Sequence, residues 1–362
     1  MLTDKILCTS GKSFYSFANA DGKTWLMPIR NMQVAMNLYQ PSGVKGKLLK
    51  CFFPYLHKIR LVRKVIKAER TVCKLQENIQ NLLCRIFHTP DLEFAIFFGT
   101  PCAHQKITIQ LSLGNHILGY CKVTNDEEIT LLFHGEAEVL QQLEEQGIKG
   151  IPKCLYCDDI NEGMHLFVQS TVKTQKSQVP HKWGTFHETF LEELQRRTLQ
   201  MVLFEDSDYY QTLQELQSHL DWLPSTTNRK LIERTIGKII NIHSGKQVEF
   251  SVYHADFTPW NMFVEKRKLF VFDWEYARLT YPPQLDRYHF FTQTAIFEKH
   301  WSASEIISYM KSGKGSWIDK EKYSLYLIDV MARFTIREKG NVTGDIAKSF
   351  SLWTNLLEYL QE

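Results

Sequence analysis

The amino-acid sequence predicts an α+β fold in more than one lobe. Three observations carry that expectation. Polar and apolar residues alternate from Lys106 to Val123, and apolar residues recur every three or four positions over most of the chain after Ser170. The length, 362 residues with 44% apolar side chains, suffices for more than one core. The formal net charge of +3 is too small to imply nucleic-acid binding by the chain as a whole. All eight cysteines fall at or before Cys157 at irregular spacings, which fits reduced thiols better than a disulfide framework. No run approaches the roughly 18 apolar residues that span a bilayer, and Met1-Leu2-Thr3-Asp4-Lys5 lacks the apolar core of a signal, so the chain is expected in the cytoplasm.

The elements follow in order. Phe14 to Phe17 and Trp25 to Ile29, flanking Asn19-Ala20-Asp21-Gly22, read as a hairpin. After Pro41-Ser42-Gly43 the chain turns basic: Lys45, Lys47, Lys50, Lys58, Arg60, Arg63, Lys64, Lys67, Arg70 and Lys74 oppose Glu69 alone. Interleaved apolar residues make residues 45–74 one or two amphipathic helices, either packed on their own domain or lying on an anionic membrane. Phe94 to Phe98 and Ile107 to Leu111 read as strands, with Gly99 to Gln105 between them. Gly119 to Val123 closes the alternation that begins at Lys106 and puts Lys122 on the third strand of a small antiparallel sheet. Glu136 opens an amphipathic segment running to Gln146, in which Val139, Leu140 and Leu143 share one face. Cys154-Leu155-Tyr156-Cys157 is a lone C-x-x-C without the second pair a zinc site calls for, and is read as structural. Leu166 to Val168 is a further strand. Phe186 to Leu199, Tyr209 to Leu220, Arg229 to His243 and the segments after Ser302 carry helical periodicity.

The chemistry concentrates in His254-Ala255-Asp256-Phe257-Thr258-Pro259-Trp260-Asn261 and the later Asp273-Trp274-Glu275. Phe250 to Tyr253 is a strand-like run that delivers His254 and Asp256 to an open edge, and Pro259 stops further pairing. Met262 to Val264 and Leu269 to Phe272 read as a hairpin turning at Glu265 to Lys268. An isolated H-x-D would be an ordinary strand end. A carboxylate, a carboxamide and a second carboxylate in this arrangement are the groups that phosphoryl transfer from a nucleotide uses. Asp256 is then the base for the attacking hydroxyl, with His254 beside it, and Asn261 and Asp273 are magnesium ligands, oxygen donors as that ion requires.

These motifs resemble the signature of the aminoglycoside phosphotransferase and choline kinase family, relatives of protein kinases, which reads H-G-D-x-x-x-x-N and later D-[WF]-E. The strings D-F-T-P-W-N and D-W-E-Y, with Pro283-Gln284-Leu285-Asp286 after them, are most similar to a bacterial subset associated with cell-surface polysaccharide genes. Ala255 stands where the family prefers Gly, a change tolerated unless φ is positive. The resemblance implies a protein-kinase-like two-lobed fold: an N-terminal extension over 1–92, a small antiparallel sheet lobe over 93–169 and a larger helical lobe over 170–362. It also implies ATP and Mg2+ as cofactors. Lys122 would contact the nucleotide's α- and β-phosphates and Glu136 would orient it, with Glu138 as a rival for that role. Gly99 opens a loop with one glycine in place of a repeated-glycine phosphate loop; it either lets backbone approach a phosphate or marks a simple turn.

The expected activity is an ATP-dependent phosphotransferase acting on a hydroxyl of a sugar, an amino alcohol or a glycan intermediate in cell-surface polysaccharide synthesis. Acids and bases are interspersed after Phe290, which disfavours a polycationic aminoglycoside acceptor. Trp260, Trp274, Tyr276 and Tyr281 either stack an acceptor or fill the core. The alternative is a catalytically inactive nucleotide-binding or scaffold protein.

Overall fold

The alternating runs of the first half of the chain pair into an eight-stranded antiparallel sheet. Its strands are β1 (Leu7–Ala18), β2 (Thr24–Pro28), β3 (Glu69–Leu75), β4 (Glu93–Phe97), β5 (Ile107–Leu113), β6 (His116–Thr124), β7 (Cys154–Asn161) and β8 (Met164–Ser170), in the order β3-β1-β2-β4-β5-β6-β8-β7. The computed structural model describes residues 2–19, 22–41, 43–99, 106–161, 163–223 and 225–362. The chain divides into two units, one of Met1–Glu145, Lys149–Gln178 and Phe263–Glu275, the other of Gln146–Ile148, Val179–Met262 and Tyr276–Glu362.

In the first unit the expected N-terminal hairpin is present, with Phe17 opposite Trp25 and Phe14 opposite Pro28. Its turn residues Ala20 and Asp21 lie outside the described residues. The sheet runs across residue 92, because β2 pairs with β4 through Trp25↔Phe97 and Leu26↔Ile96. Two apolar layers explain the continuity. One face buries Phe14, Leu26, Ile96, Ile109, Cys121 and Val168, and the other buries Tyr15, Phe17, Trp25, Met27 and Ala95. Alternate residues of a strand face opposite ways, so a hairpin that is apolar on both faces needs cover on both.

The helices of this unit are α1 (Leu2–Ile6), α2 (Met32–Ala35), α3 (Val44–Leu56), α4 (Arg60–Val65), α5 (Glu77–Ile86) and α6 (Glu127–Glu145). The basic segment is thus two helices followed by a strand, which corrects the expectation of helix throughout 45–74. Arg70 and Lys74 lie on β3, where Thr71 and Val72 pair with Phe14 and Ser13 of β1; β-branched residues favour that pairing over a further helical turn. Glu136 does not open its helix. It sits within α6, which starts at Glu127, just after Asp126, whose carboxylate accepts the Ile129 N–H at 3.0 Å as an N-terminal cap. Gly119 on β6 is a true close approach: a Cβ there would stand 2.3 Å from the Gln169 carbonyl oxygen and 2.7 Å from the Phe87 ring.

The second unit is helical: α7 (Thr185–Thr198), α8 (Asp208–Ser218), α9 (Thr226–His243), α10 (Leu285–Phe297), α11 (Ala303–Lys311), α12 (Lys320–Arg337) and α13 (Gly344–Gln361). Between β8 and α10 the chain also forms β9 (Gln200–Leu203), β10 (Gln247–Tyr253), the hairpin β11 (Met262–Glu265) and β12 (Lys268–Val271), and β13 (Arg278–Tyr281). The β11–β12 turn holds Lys266 and Arg267 at φ of 48° and 62°, the left-handed pair a two-residue hairpin needs. The second unit packs its helices and β10 around Tyr253, Tyr281, Tyr323, Tyr326 and Trp353.

Candidate active site

In the first unit, Lys122 is the centre of a buried charge cluster. It follows Cys121 on β6 and faces away from the aliphatic layer, towards α6. Its Nζ donates to Glu136 Oε2 and to Asp273 Oδ1, both at 2.6 Å, and lies 4.0 Å from Glu275 Oε2, which also pairs with Lys106. Glu136 points inward because Phe133, Leu140 and Leu143 on the same side of α6 are buried with it. Its other oxygen accepts the Trp274 N–H at 3.2 Å. The D-W-E segment is fixed in the same unit by its hairpin: Val271 N–H donates to Gly150 O and β11 bridges Gln178. Asp273 adopts φ 69°, a left-handed conformation that Asp tolerates better than most residues.

Burial alone would lower the Lys122 pKa, but Asp273, Glu136 and Glu275 outweigh it and hold the ammonium above the usual lysine range. Burial pushes Glu136 up, to about 7, against the pull of Lys122 and with the help of Asp273 and Glu275. Glu138 is exposed on the opposite side of α6, so the rival for the Lys122 partner is set aside. Gly99 has φ +70°. Residues 100–105 of the loop that it opens lie outside the described residues.

In the second unit, Asp256 is held by neutral donors. Asn261 Nδ2 donates to Asp256 Oδ2 at 2.7 Å and to its carbonyl oxygen at 3.1 Å, while His289 Nε2 meets Oδ1 at 3.1 Å. A carboxylate only accepts, so Nε2 carries the proton of the imidazole. Burial opposes ionisation of Asp256, but the hydrogen bond from His289 and the nearby Arg333 guanidinium hold its carboxyl below the usual range. His289 is lowered by its own burial. Asp256 is therefore ionised beside a neutral imidazole at pH 7.

The loop beneath Asp256 is clamped from α10 and α12. Asp286 accepts the N–H groups of His254 and Ala255 at 3.0 and 3.1 Å. Burial raises Asp286 to about 7 while those two N–H groups pull the other way. Arg333 donates to the Ala255 carbonyl oxygen and to Asp329, which also takes the hydroxyls of Tyr253 and Tyr281 at 3.0 Å. His254 is fully buried and its Nδ1 accepts the Asp256 N–H at 3.1 Å, a placement that orients the loop. Phe257, also fully buried, packs on Phe190 and anchors the other side. Ala255 has φ 68°, so the condition under which alanine is tolerated there is not met and the backbone is strained.

The carboxylate cluster of the first unit fits magnesium. Glu136, Asp273 and Glu275 present carboxylate oxygens within 4.8 Å of one another, and Asp273, 28% exposed, has the most solvent access of the three. Both hydrogen bonds of Asn261 to Asp256 use the amide nitrogen, so neither consumes its carboxamide oxygen. Of the four aromatic candidates, Trp274 and Tyr281 are core residues, whereas Trp260 and Tyr276 retain exposed surface. Sequence reasoning gave His289, Asp329, Arg333 and Lys106 no part. The one available signal was the spacing of Asp286 and His289, one helical turn apart just after D-W-E.

The sequence matches no protein-family model and no curated protein at a significant level. Solved structures do match. A thermostable mutant of aminoglycoside phosphotransferase APH(4)-Ia in ternary complex with AMP-PNP and hygromycin B aligns with 79% of this chain and 98% of its own, at 12% identity and a TM-score of 0.50. APH(2'')-IIa with streptomycin and ATP covers 80% and 97% at 15% identity and a TM-score of 0.45. A putative fructosamine-3-kinase from Haemophilus somnus covers 78% and 97% at 12% identity and a TM-score of 0.44. This chain has the protein-kinase-like α+β fold of the aminoglycoside phosphotransferases.

Proposed function

We propose that this protein transfers the γ-phosphoryl group of ATP to a hydroxyl of a small molecule. The observation that carries the reading is Lys122, a strand lysine kept charged in near-complete burial by a helix glutamate and by the aspartate of D-W-E. Burying such a cluster is costly, and several apolar residues would pack the same space more cheaply. Phosphoryl transfer gives it a use: Lys122 binds the α- and β-phosphates, Glu136 orients it, and Gly99 lets backbone approach the phosphates. Asp273 and Asn261 are the residues that would hold magnesium, which supplies positive charge to the phosphate oxygens.

Asp256 accepts the proton of the attacking hydroxyl. The acceptor oxygen forms a bond to the γ-phosphorus as the bond to the β,γ-bridging oxygen breaks, and ADP leaves with that electron pair. His254, Asp286 and Arg333 position the Asp256 loop. Labelled ATP supplied with sugars, amino alcohols and aminoglycosides tests this reading. Magnesium-dependent transfer to an acceptor outside the aminoglycosides, lost in Asp256→Asn, is expected. Tight Mg-ATP binding without transfer to any acceptor would favour the inactive scaffold instead.

The acceptor we favour is a glycan intermediate carried on a membrane, as in cell-surface polysaccharide synthesis. Supporting it, Val44, Leu48, Phe52 and Tyr55 share one side of α3 and, with Leu61 and Val65 of α4, are each 53–75% exposed among lysines. Apolar residues ringed by lysines suit an anionic bilayer surface. No described helix is long and apolar enough to cross a membrane. Sedimentation with anionic vesicles at low salt, released by high salt and by replacing Lys45, Lys47, Lys50, Arg63 and Lys64 with Gln, is the expected result. Indifference to such vesicles would leave a soluble acceptor.

A further inference from the structure

We propose that Cys157, His134 and His165 form a binding site for a divalent transition ion, zinc first. The three come from β7, α6 and β8, all within the first unit. Cys157 Sγ lies 3.5 Å from His165 Nε2 and 3.8 Å from His134 Nδ1, and the three atoms all fall within 4.8 Å of one another. Zinc bonds of about 2.3 Å to sulfur and about 2.0–2.1 Å to nitrogen, at tetrahedral angles, separate a sulfur and a nitrogen ligand by about 3.6 Å. The ligand atoms therefore already stand at the spacing of a coordination shell.

A second observation points the same way. His165 Nδ1 lies 3.0 Å from Asp159 Oδ1. That carboxylate fixes the proton on Nδ1 and leaves the Nε2 lone pair facing Cys157, the carboxylate–histidine arrangement that orients metal ligands. His165 is 3% exposed and locked by packing, whereas His134 and Asp159 are exposed, so an ion has a route in.

The donors select the ion. One thiolate and two imidazoles suit zinc and its transition-metal neighbours and do not suit magnesium or calcium. With three protein ligands, the fourth position falls to water. Cys154 does not belong to this cluster; a register irregularity in β7 separates it from Tyr156 and Cys157. The C-x-x-C is accordingly not a ligand pair, and Cys157 works with two histidines from other elements. On binding, the Cys157 S–H bond breaks, its electron pair forms the S–Zn bond, and one proton leaves to solvent.

The ion would tie the helix that carries Glu136 to the strand that pairs with Lys122, because His134 stands two residues before Glu136 on α6 and His165 pairs with Thr124 on β6. The site itself does not depend on the phosphotransfer reading. Its test is titration of the reduced, metal-free full chain with Co2+, watching thiolate-to-cobalt charge transfer and tetrahedral d–d absorption, followed by displacement with Zn2+. About one ion per chain is expected, with Mg2+ in excess unable to displace it. Cys157→Ser should abolish the thiolate band, His134→Ala should weaken affinity roughly tenfold or more, and Cys154→Ser should change neither. His134 is exposed, so its replacement tests the site without disturbing the core. Absence of a thiolate band, its persistence in Cys157→Ser, or its loss in Cys154→Ser would overturn the proposal.

Discussion

Asp273 and Asp256 are both about 30% exposed, at 28% and 30%, yet the two units hold them by opposite chemistry. Asp273 is bound to a cation, the Lys122 ammonium, inside a cluster rich in charge. Asp256 is bound by a carboxamide and a neutral imidazole, and the ionisable side chains of Asp286, Asp329 and Arg333 are set behind its loop. A carboxylate paired with an ammonium is suited to exchange one cation for another. One held by neutral dipoles keeps its charge and a lone pair for a proton. In the proposed reaction the first would hold the metal and the second would act as the base.

The strongest way to break that comparison is to neutralise each aspartate without changing its shape. Asp256→Asn should lower turnover by roughly 10²- to 10⁴-fold and leave Mg-ATP affinity near that of the wild type. Asp273→Asn should remove the magnesium-dependent part of ATP binding. Isothermal titration with and without the metal decides between them, and equal losses of binding in both variants would erase the distinction.

Next is the lysine. Lys122→Met leaves Glu136 buried without its cation, for which about 3 kcal/mol or more of stability should be lost, read from urea unfolding. A simple surface lysine would cost well under 1 kcal/mol, so a small loss would show that the cluster is not the charged core described above.

The two units should also differ in their pH dependence. Glu136, raised to about 7 in the fold, contributes stability that is full below its ordinary value near 4.5 and is lost as pH rises through 7. Asp256 is lowered, so its contribution is present above its ordinary value near 3.8 and is lost as pH falls through the lowered one. Comparing unfolding of Glu136→Gln with wild type from pH 4.5 to 7 should show a difference that changes by on the order of 1–3 kcal/mol. In Asp256→Asn the corresponding change should appear only below pH 4.

The smallest effect concerns backbone strain beneath Asp256. A left-handed alanine costs about 1–2 kcal/mol, and glycine gives back about 0.5–1 kcal/mol of that in unfolded-chain entropy. Ala255→Gly should therefore stabilise the protein by up to about 1 kcal/mol, measurable as a rise in the urea midpoint. A destabilised variant would mean that the Ala255 methyl group, buried at 2% exposure, contributes more packing than the strain removes.

What could be read from the sequence was local. The N-terminal hairpin, the β11–β12 hairpin, most helices of the second half and the H-x-D and D-W-E motifs all depend on side-chain period and turn chemistry within a few residues. Even there, charge counting took Arg70 and Lys74 for helix, and a missed Asp126 cap placed the start of α6 too late. Which distant residues would meet was decided only by tertiary packing. His289 reaches Asp256 because Asp286, one turn earlier on α10, holds the backbone of His254 and Ala255, and Lys122 finds Asp273, 151 positions away, because the β11–β12 hairpin joins the sheet unit. His134, Cys157 and His165 converge because α6 lies against the β7–β8 hairpin. The physical reason is that backbone hydrogen bonding and amphipathic period act within one element, whereas the partner of a buried charge is set by which elements share a core, information that no short window of sequence contains.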